Sequence, residues 1–468
     1  MGGYVTGILV SLGAATILVR HLGIATFGRY VTVTSLVALV AGVTEAGIAV
    51  YGIREFAARD ESDRRYLMAN LLGMRMTLTL VGIVCAVGFG LIAGYPQIMV
   101  IGTVVAGVGL LVQVVGEVMS ISLQAQLLLG SLTIVELCRR VATLILIGAL
   151  ALLDATLLPF LAASTVAGAV AVALLMWMVR SSFTIKLRVD WQMWRDLFSE
   201  TLPFALAVSI GAVYFYVTVI LMSLIATAHQ TGIFGTSFRV TQVALAIPSI
   251  LLTAIFPLMS QEHSAQDSAL GAMLGKVFTV AVIGGIWMSL ALALGAGFII
   301  NIIAGSQGQE AVSVLRIQGL VFTVSFISTA CVFGFLSLRQ YRPMMITSSS
   351  ALLLNIVLSL IFIPVLGARG GAFADVITET VEAIGLTIIL TRAVPRYRIP
   401  VSALPVAALA AALASSVLLV PVGSIARVVG ASVIYFGILL FTDAIPSDVL
   451  DVAQRLPVMR ILFRDSAK

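Results

Sequence analysis

A small set of ionisable side chains lies inside long apolar stretches of this sequence, and these side chains are the first candidates for chemistry. They are Arg20, Glu45, Arg75, Glu117, Arg239, Glu379 and Glu382. If those stretches cross a membrane, each charge costs about 2.5–3.5 kcal/mol on insertion scales. A charge retained at that cost marks a substrate or ion pathway by default, so all seven are candidate site residues.

The spacing of the acidic residues points to proton or ion coupling. Glu117 follows Gln113 by four residues, which places both side chains on one face of a helix. Glu379 and Glu382 are three apart and share a face for the same reason. Two carboxylates held that close repel each other, so one can keep its proton near neutral pH, as a proton-coupled carrier requires. We predict ion coupling for these three glutamates and for Glu45, with a helix–helix hydrogen bond or a shallow, hydrated position as the alternative.

The arginines point to a phosphate-bearing substrate. A guanidinium presents a planar fork of N–H donors that matches phosphate bidentately, and it stays charged when it is partly buried. Arg20, Arg75 and Arg239 lie within or at the edge of apolar stretches. We predict substrate binding for all three, and the alternative is that their side chains extend to the membrane surface as anchors.

The composition requires these residues to sit on membrane-spanning helices. Of 468 residues 60% are hydrophobic and only 10% are charged, whereas a soluble domain carries about 25% charged residues. Long unbroken apolar stretches predict helices of about 20 residues rather than a barrel. We predict an all-α polytopic membrane protein with about fourteen spans. They are 4–22, 30–52, 67–93, 97–127, 133–153, 157–179, 201–225, 236–260, 274–300, 311–337, 343–365, 371–392, 401–421 and 424–444.

The distribution of positive charge predicts the orientation in the membrane. Of the 27 Lys and Arg residues, twenty fall at one set of alternate helix ends and six at the other. By the positive-inside rule both termini are cytoplasmic and the number of spans is even. The net charge of +6 follows from the same bias, so we expect no nucleic-acid partner.

A weak internal repeat predicts the domain organisation. The segment Gly28–Val33 opens the second span and resembles Gly232–Ser237, 204 residues later. This offset predicts two pseudo-symmetric lobes of six helices, residues 1–200 and 201–392. Residues 393–468 then form two extra helices and an amphipathic cytoplasmic tail. Internal duplication of this kind is typical of transporters that rock two lobes about a central site.

Motifs for catalysis and cofactors are absent from the sequence. The stretch Gly271–Lys276 fails the phosphate-loop pattern, and the three histidines have no metal-ligand spacing. No nucleophile motif such as GxSxG occurs. We therefore expect no catalytic residue, no metal and no cofactor, and we predict that the chain is not an enzyme.

Two stretches resemble a known family. Arg20–Tyr30, with Leu-Gly and Phe-Gly-x-Tyr, resembles the first-loop signature of polysaccharide and oligosaccharide flippases, and Glu45-x-Gly47 with Arg54-Glu55-x-Ala57 resembles the adjoining stretch of those proteins. Further matching residues in the second half are Gly232-Ile233-Phe234, Arg239, Pro248 and Phe256-Pro257-x-x-Ser260. These flippases belong to the multidrug/oligosaccharidyl-lipid/polysaccharide exporter superfamily.

The resemblance implies a fold of twelve to fourteen helices in two lobes around a cationic cavity. It implies that the chain moves an undecaprenyl-diphosphate-linked oligosaccharide across the cytoplasmic membrane, by alternating access driven by an ion or the membrane potential. Arg20 and Arg239 match positions where related flippases place cavity arginines, so the resemblance implies that these two arginines bind the diphosphate. Arg75 joins them only on the physical argument above.

Two other functions remain open at this point. The first is a multidrug efflux carrier of the same superfamily, although a cavity for cationic drugs should be acidic rather than rich in arginine. The second is a membrane glycan polymerase or ligase, which would need a sizeable outer loop. For the flippase we expect the lipid-linked oligosaccharide and the bilayer as partners, a glycan polymerase or glycosyltransferases as protein partners, and a monomeric chain.

Overall fold

Helices make up nearly all of the computed structural model, which describes residues 2–45, 47–178, 188–245, 247–248, 267–338, 340–394, 403–419, 423–442 and 444. The helices, numbered here in chain order within these residues, are α1 Gly2–Glu45, α2 Ile48–Ala58, α3 Glu61–Ile92, α4 Gln97–Ala125, α5 Leu129–Leu152, α6 Leu157–Met178, α7 Trp191–Ile225, α8 Ala228–Ala244, α9 Asp267–Ala304, α10 Gln309–Gly319, α11 Val321–Ser337, α12 Arg342–Leu366, α13 Ala368–Ala393, α14 Ala403–Ala414 and α15 Ser424–Phe441. The predicted amphipathic tail lies outside the described residues.

The long helix α1 is two helices joined at Gly23. Gly23 has φ 72° and ψ 161°, a combination open essentially to glycine alone, and it interrupts the helix. The first arm follows α5 in the same direction: Arg140, at the middle of α5, donates to Ser11, and His21 contacts the Ala155 carbonyl just past the end of α5. The first arm therefore corresponds to the first predicted span, 4–22.

The second arm of α1 runs in the opposite direction. Val33 packs with Met99 at the start of α4, and Val40 packs with Val114 further along it, so this arm is parallel to α4. Only residues 126–128 join α4 to α5, which makes those two helices antiparallel. The chain therefore reverses at Gly23, as two successive spans require. The second arm ends at Glu45 rather than at 52, because Gly47 adopts a left-handed conformation with φ 72° before α2 begins.

Helices α4 and α6 pack closely because one face of α4 carries glycines seven residues apart. A Cβ placed on Gly102 would lie 2.7 Å from Leu161, and one on Gly109 would lie 2.6 Å from Thr165. Without Cβ atoms the two backbones approach each other, which is how helices associate in lipid.

The apolar helices are long enough to cross a membrane many times. Eight stretches of the described residues qualify by length and composition. Two of them, Leu9–Ala58 and Met273–Ser337, contain 50 and 65 residues, more than twice the roughly 20 that one crossing needs. The chain is therefore an all-α polytopic membrane protein, and the number fourteen stays a prediction.

Contacts divide the chain into two compact units. The first unit contains Met1–Val240, Ile300–Val314 and Ser348–Ala374, and the second contains Thr241–Ile299, Leu315–Thr347 and Asp375–Lys468. These bounds differ from those of the lobes 1–200 and 201–392, which remain a prediction. In the second unit α15 packs on α9, where Tyr435 donates to the Ile283 carbonyl at 2.9 Å.

The start of α7 is fixed by Asp190. Its carboxylate accepts from the backbone N–H groups of Gln192 and Met193 at 3.0 and 3.2 Å, which caps the helix. The Tyr66 hydroxyl on α3 donates to the same carboxylate, and the Asp190 N–H donates to Asn70. The hydrogen bond from Tyr66, with smaller contributions from the capped N–H groups, lowers the pKa of Asp190 below its usual value.

Candidate functional site

Within the first unit, the second arm of α1 and helix α8 cross at two glycines. A Cβ on Gly28 would lie 2.7 Å from the Gly232 nitrogen and closer still to the Ala228 carbonyl oxygen. A Cβ on Gly232 would lie 2.8 Å from the Ile24 carbonyl carbon and closer still to its oxygen. Gly28 and Gly232 are 204 residues apart, as are Ile24 and Ala228, so the two contacts are equivalent under the offset of the repeat. Only glycine fits at either position.

Arg239 lies further along the same crossing. Its Nη2 donates to the Thr34 hydroxyl at 3.1 Å, which joins α8 to the second arm of α1. The side chain is partly buried, and it also interacts electrostatically with Tyr30. Thr34 is a partner that the sequence did not single out. Arg239 therefore stands at the contact between the two repeated segments.

Arg20 contacts the end of another helix. It lies on the first arm of α1, and its Nη2 donates to the carbonyl oxygens of Asn301 and Ile302 at 3.1 and 2.8 Å. These carbonyls belong to the last turn of α9, where a cation is favourable because helix C-termini carry partial negative charge. The side chain remains exposed, and no described contact joins it to Arg239.

Arg75 and Glu117, predicted to have separate roles, form an ion pair. Arg75 on α3 is only 3% exposed, and its Nη2 donates to Glu117 Oε2 at 2.8 Å. Gln113 Nε2 donates to Glu117 Oε1 at 2.8 Å, which confirms the predicted shared face of α4. Arg75 Nη1 is buried and has no hydrogen-bond partner among the described residues. A buried guanidinium of this kind depends on its one carboxylate partner for compensation of its charge.

A polar pocket of about 260 Å³ lies beside this pair, between α4, α5 and α6. Its polar lining comes from Gln113, Glu117, Ser120, Gln124, Glu136 and Arg139. Glu136 accepts two hydrogen bonds of 2.8 Å from Arg139 and one of 2.7 Å from Arg140, so its charge is compensated within α5. Glu136 is a pocket residue that the sequence analysis did not select, and it lies at the start of the predicted span 133–153.

The remaining glutamates lie elsewhere. Glu45 is the last residue of α1, half-buried, and it has no hydrogen-bond or ion-pair partner among the described residues. In the second unit the Ser325 hydroxyl donates to Glu379 at 2.8 Å, which joins α11 to α13. Glu382 is half-buried one turn further along α13. The predicted coupling residues thus occupy three separate places, and of them Glu117 alone contacts a predicted binding residue through a described bond.

Comparison with solved structures defines the class of this fold. A structure of the lipid II flippase MurJ in an inward closed conformation has a TM-score of 0.80 at 10% identity, covering 95% of this chain and 99% of that chain. An inward-facing MATE-family multidrug resistance transporter of the MOP superfamily has a TM-score of 0.69 at 14% identity, covering 83% and 94%. A MOP superfamily transporter from Pyrococcus furiosus has a TM-score of 0.56 at 15% identity, covering 84% and 93%. The fold is that of MOP-superfamily flippases and transporters.

The family is given by the sequence itself. Residues 1–263 match the polysaccharide biosynthesis protein family, and the chain belongs to that family. No curated protein sequence matches the chain significantly. Fold and family are those of multi-pass membrane flippases and transporters and not of enzymes.

Proposed function

We propose that this chain is a flippase that moves a polyprenyl-diphosphate-linked oligosaccharide across the cytoplasmic membrane for the synthesis of a cell-surface polysaccharide. The observation that carries the proposal is the family match over residues 1–263. The fold supports it, because a flippase fold must pass a polar headgroup while the lipid tail stays in the bilayer. Both termini are cytoplasmic in this proposal, and the two predicted lobes, 1–200 and 201–392, rock about a central site.

The diphosphate binds to Arg20 and Arg239 in this mechanism. Each donates through Nη2 in the described structure, to carbonyls of α9 and to Thr34 respectively, and each guanidinium carries five N–H donors. A phosphate oxygen accepts such N–H groups more strongly than a neutral carbonyl or hydroxyl does. Substrate therefore competes with the contacts that join α1 to α8 and α9, which couples binding to separation of these helices.

In this proposal the four predicted glutamates couple transport to an ion. Glu45 has no hydrogen-bond or ion-pair partner among the described residues, so its carboxylate is the first candidate for the coupling ion. Glu117 changes its charge only at the expense of the buried Arg75, while Glu379 and Glu382 lie one turn apart on α13. Arg75 contributes to substrate binding when Glu117 is protonated, because the guanidinium then lacks its counter-ion. We further propose that the chain works as a monomer beside a glycan polymerase or glycosyltransferases.

A multidrug efflux carrier is the second candidate, because MATE transporters share the fold. One feature argues against it. The partly buried Arg239 places positive charge inside the protein, where a cationic drug would be repelled. Transport of a cationic dye without transport of the lipid-linked glycan would favour this second function.

Flipping of a defined lipid in proteoliposomes tests the proposal. The probe is a polyprenyl-diphosphate oligosaccharide with a fluorophore on its glycan, and the readout is fluorophore loss to a membrane-impermeant reductant. We expect Arg20→Ala and Arg239→Ala each to slow flipping about tenfold or more, since each removes charge-assisted hydrogen bonds. Arg195→Ala changes an exposed arginine on the second turn of α7; this variant is the matched control and should flip the lipid normally.

Arg20→Lys separates substrate binding from capping of α9. The lysine keeps a cation for the α9 carbonyls and loses the planar fork. Flipping should therefore stay slow in Arg20→Lys although the protein is as stable as wild type. If Arg20→Ala and Arg239→Ala both flip the lipid at the wild-type rate, Arg20 and Arg239 do not bind the diphosphate.

A further inference from the structure

The pocket between α4, α5 and α6 has a composition that no residue role above explains. It places two amides, one hydroxyl, two carboxylates and one guanidinium around a space of about 260 Å³. The rest of the lining is small or aliphatic, namely Gly116, Leu132, Val135, Gly168, Ala171, Val172 and Leu175. Pockets for drug-sized ligands measure about 300–1,000 Å³, so this one has room for a single ring.

The charges of the pocket are already compensated, which argues against a metal cation or an anion as its ligand and leaves a proton as the ion that Glu117 would couple. Each carboxylate oxygen of Glu117 and Glu136 accepts at least one N–H bond, from Gln113, Arg75, Arg139 or Arg140. A metal cation would have to displace these donors. An anion would face two carboxylates against the one lining guanidinium of Arg139. A neutral ligand meets neither obstacle.

Hydrogen-bonding capacity nevertheless remains. Gln113 and Gln124 each use Nε2 within the protein, toward Glu117 and Ser120, and their Oε1 atoms have no partner among the described residues. Arg139 uses Nε and Nη2 on Glu136, which leaves Nη1 as a donor. Free acceptors and a free donor converge over an aliphatic floor formed by α5 and α6. Hydroxyl groups are both donors and acceptors, so a polyhydroxylated ring satisfies these groups together.

We propose that this pocket binds one neutral sugar ring. The inference deepens the proposed function: in a flippase the ring belongs to the glycan that the lipid carries. Arg75 acts as a positioning residue, because its bond to Glu117 Oε2 holds that carboxylate in the pocket wall from α3. The pocket is lined by α4, α5 and α6 alone, so its residues are distinct from Arg20 and from Arg239 at the crossing of α1 and α8.

Saturation-transfer NMR on the full chain in nanodiscs tests the site without transport. The probes are free glucose, N-acetylglucosamine and glucuronate, observed one at a time. Wild type should transfer saturation to a neutral sugar, and the Gln113→Ala/Gln124→Ala double variant should bind it about fivefold or more weakly. Gln126→Ala, which changes an exposed glutamine just past α4, is the matched control and should behave as wild type.

Two results would overturn the site: no transfer to either neutral sugar, with or without transfer to glucuronate, or equal transfer to a neutral sugar in the double variant and the wild type. Folding of the double variant is checked by its elution profile and its melting temperature. Neither substitution removes the Arg75–Glu117 ion pair. The flipping assay in proteoliposomes tests the proposed function independently of sugar binding. Sugar binding without flipping would refute the proposed function and support the site, whereas flipping without sugar binding would refute the site alone.

Discussion

Placing a methyl group at the crossing of α1 and α8 should separate these helices. Alanine at Gly28 puts a Cβ 2.7 Å from the Gly232 nitrogen, whereas ordinary contact begins at 3.4 Å. The helices must therefore move apart by at least the difference, 0.7 Å, and by more to clear the Ala228 carbonyl oxygen. Both obstacles are backbone atoms, so no side chain can rotate to relieve the overlap.

The magnitude follows from the cost of overpacking. Extra methyl groups in a packed interior cost about 1–3 kcal/mol, and a rigid backbone neighbour places this case toward the upper end. The cost applies only to conformations in which the helices touch. The equilibrium should therefore shift about 5- to 150-fold toward conformations in which α1 and α8 are separated.

Distances between two spin labels measure this shift directly. The labels are placed at Ala25 and Thr227, both exposed and next to the crossing, in a chain whose three cysteines have been replaced. Wild type should show one short distance, and Gly28→Ala and Gly232→Ala should each add a longer one. The free-energy cost in the Gly28→Ala/Gly232→Ala double variant should be smaller than the sum of the two single costs, because one separation of the helices relieves both overlaps.

Two glycines with open space around them are the controls. A Cβ on Gly88 of α3 or Gly211 of α7 meets no atom within 4 Å. Alanine there should leave the distances unchanged and stabilise the chain by about 0.4–1 kcal/mol, because it restricts the unfolded state. If Gly28→Ala gives the same distance distribution as Gly88→Ala, the close crossing is not a constraint and the reasoning fails.

Three further outcomes are expected. Glu117→Gln should lower the melting temperature more than Arg75→Met does. Glu117→Gln leaves a 3%-exposed guanidinium without a counter-ion, whereas Arg75→Met leaves a carboxylate that is 40% exposed and that water can reach. Equal decreases in melting temperature would contradict this. Asp190→Ala should melt below wild type at neutral pH, and the gap should narrow as pH falls below about 3.9 toward the depressed folded-state pKa, since a carboxylate with a lowered pKa gives this stabilisation only while ionised. A gap that does not narrow as the pH falls would exclude the link to ionisation. Gly23→Ala should destabilise the chain by about 1–3 kcal/mol through its backbone conformation, whereas the reference variant Gly88→Ala should not destabilise it in denaturant titrations. An unchanged midpoint for Gly23→Ala would show that the reversal in α1 tolerates a side chain.

The local features of this protein follow from its sequence because helices form from neighbouring residues. Apolar stretches of sufficient length specify membrane helices whatever they pack against, since every backbone bond is made inside the segment. The four-residue spacing of Gln113 and Glu117 is enough to predict that they meet, and the structure has them 2.8 Å apart. The first two predicted spans likewise appear as the two arms of α1, with the reversal at a glycine.

Partners on different helices were decided by the tertiary structure. Arg75 and Glu117 are 42 residues apart, Thr34 and Arg239 are 205 apart, and Arg20 meets carbonyls more than 280 residues away. Nothing in their own segments selects these partners, because a side chain's neighbour on another helix depends on how the helices are rotated and packed. The repeat offset of 204 was visible in the sequence, but only the packed helices show that equivalent glycines of the two copies touch. The sequence alone thus shows which segments are apolar enough to cross a membrane, and packing determines which of their few charges meet.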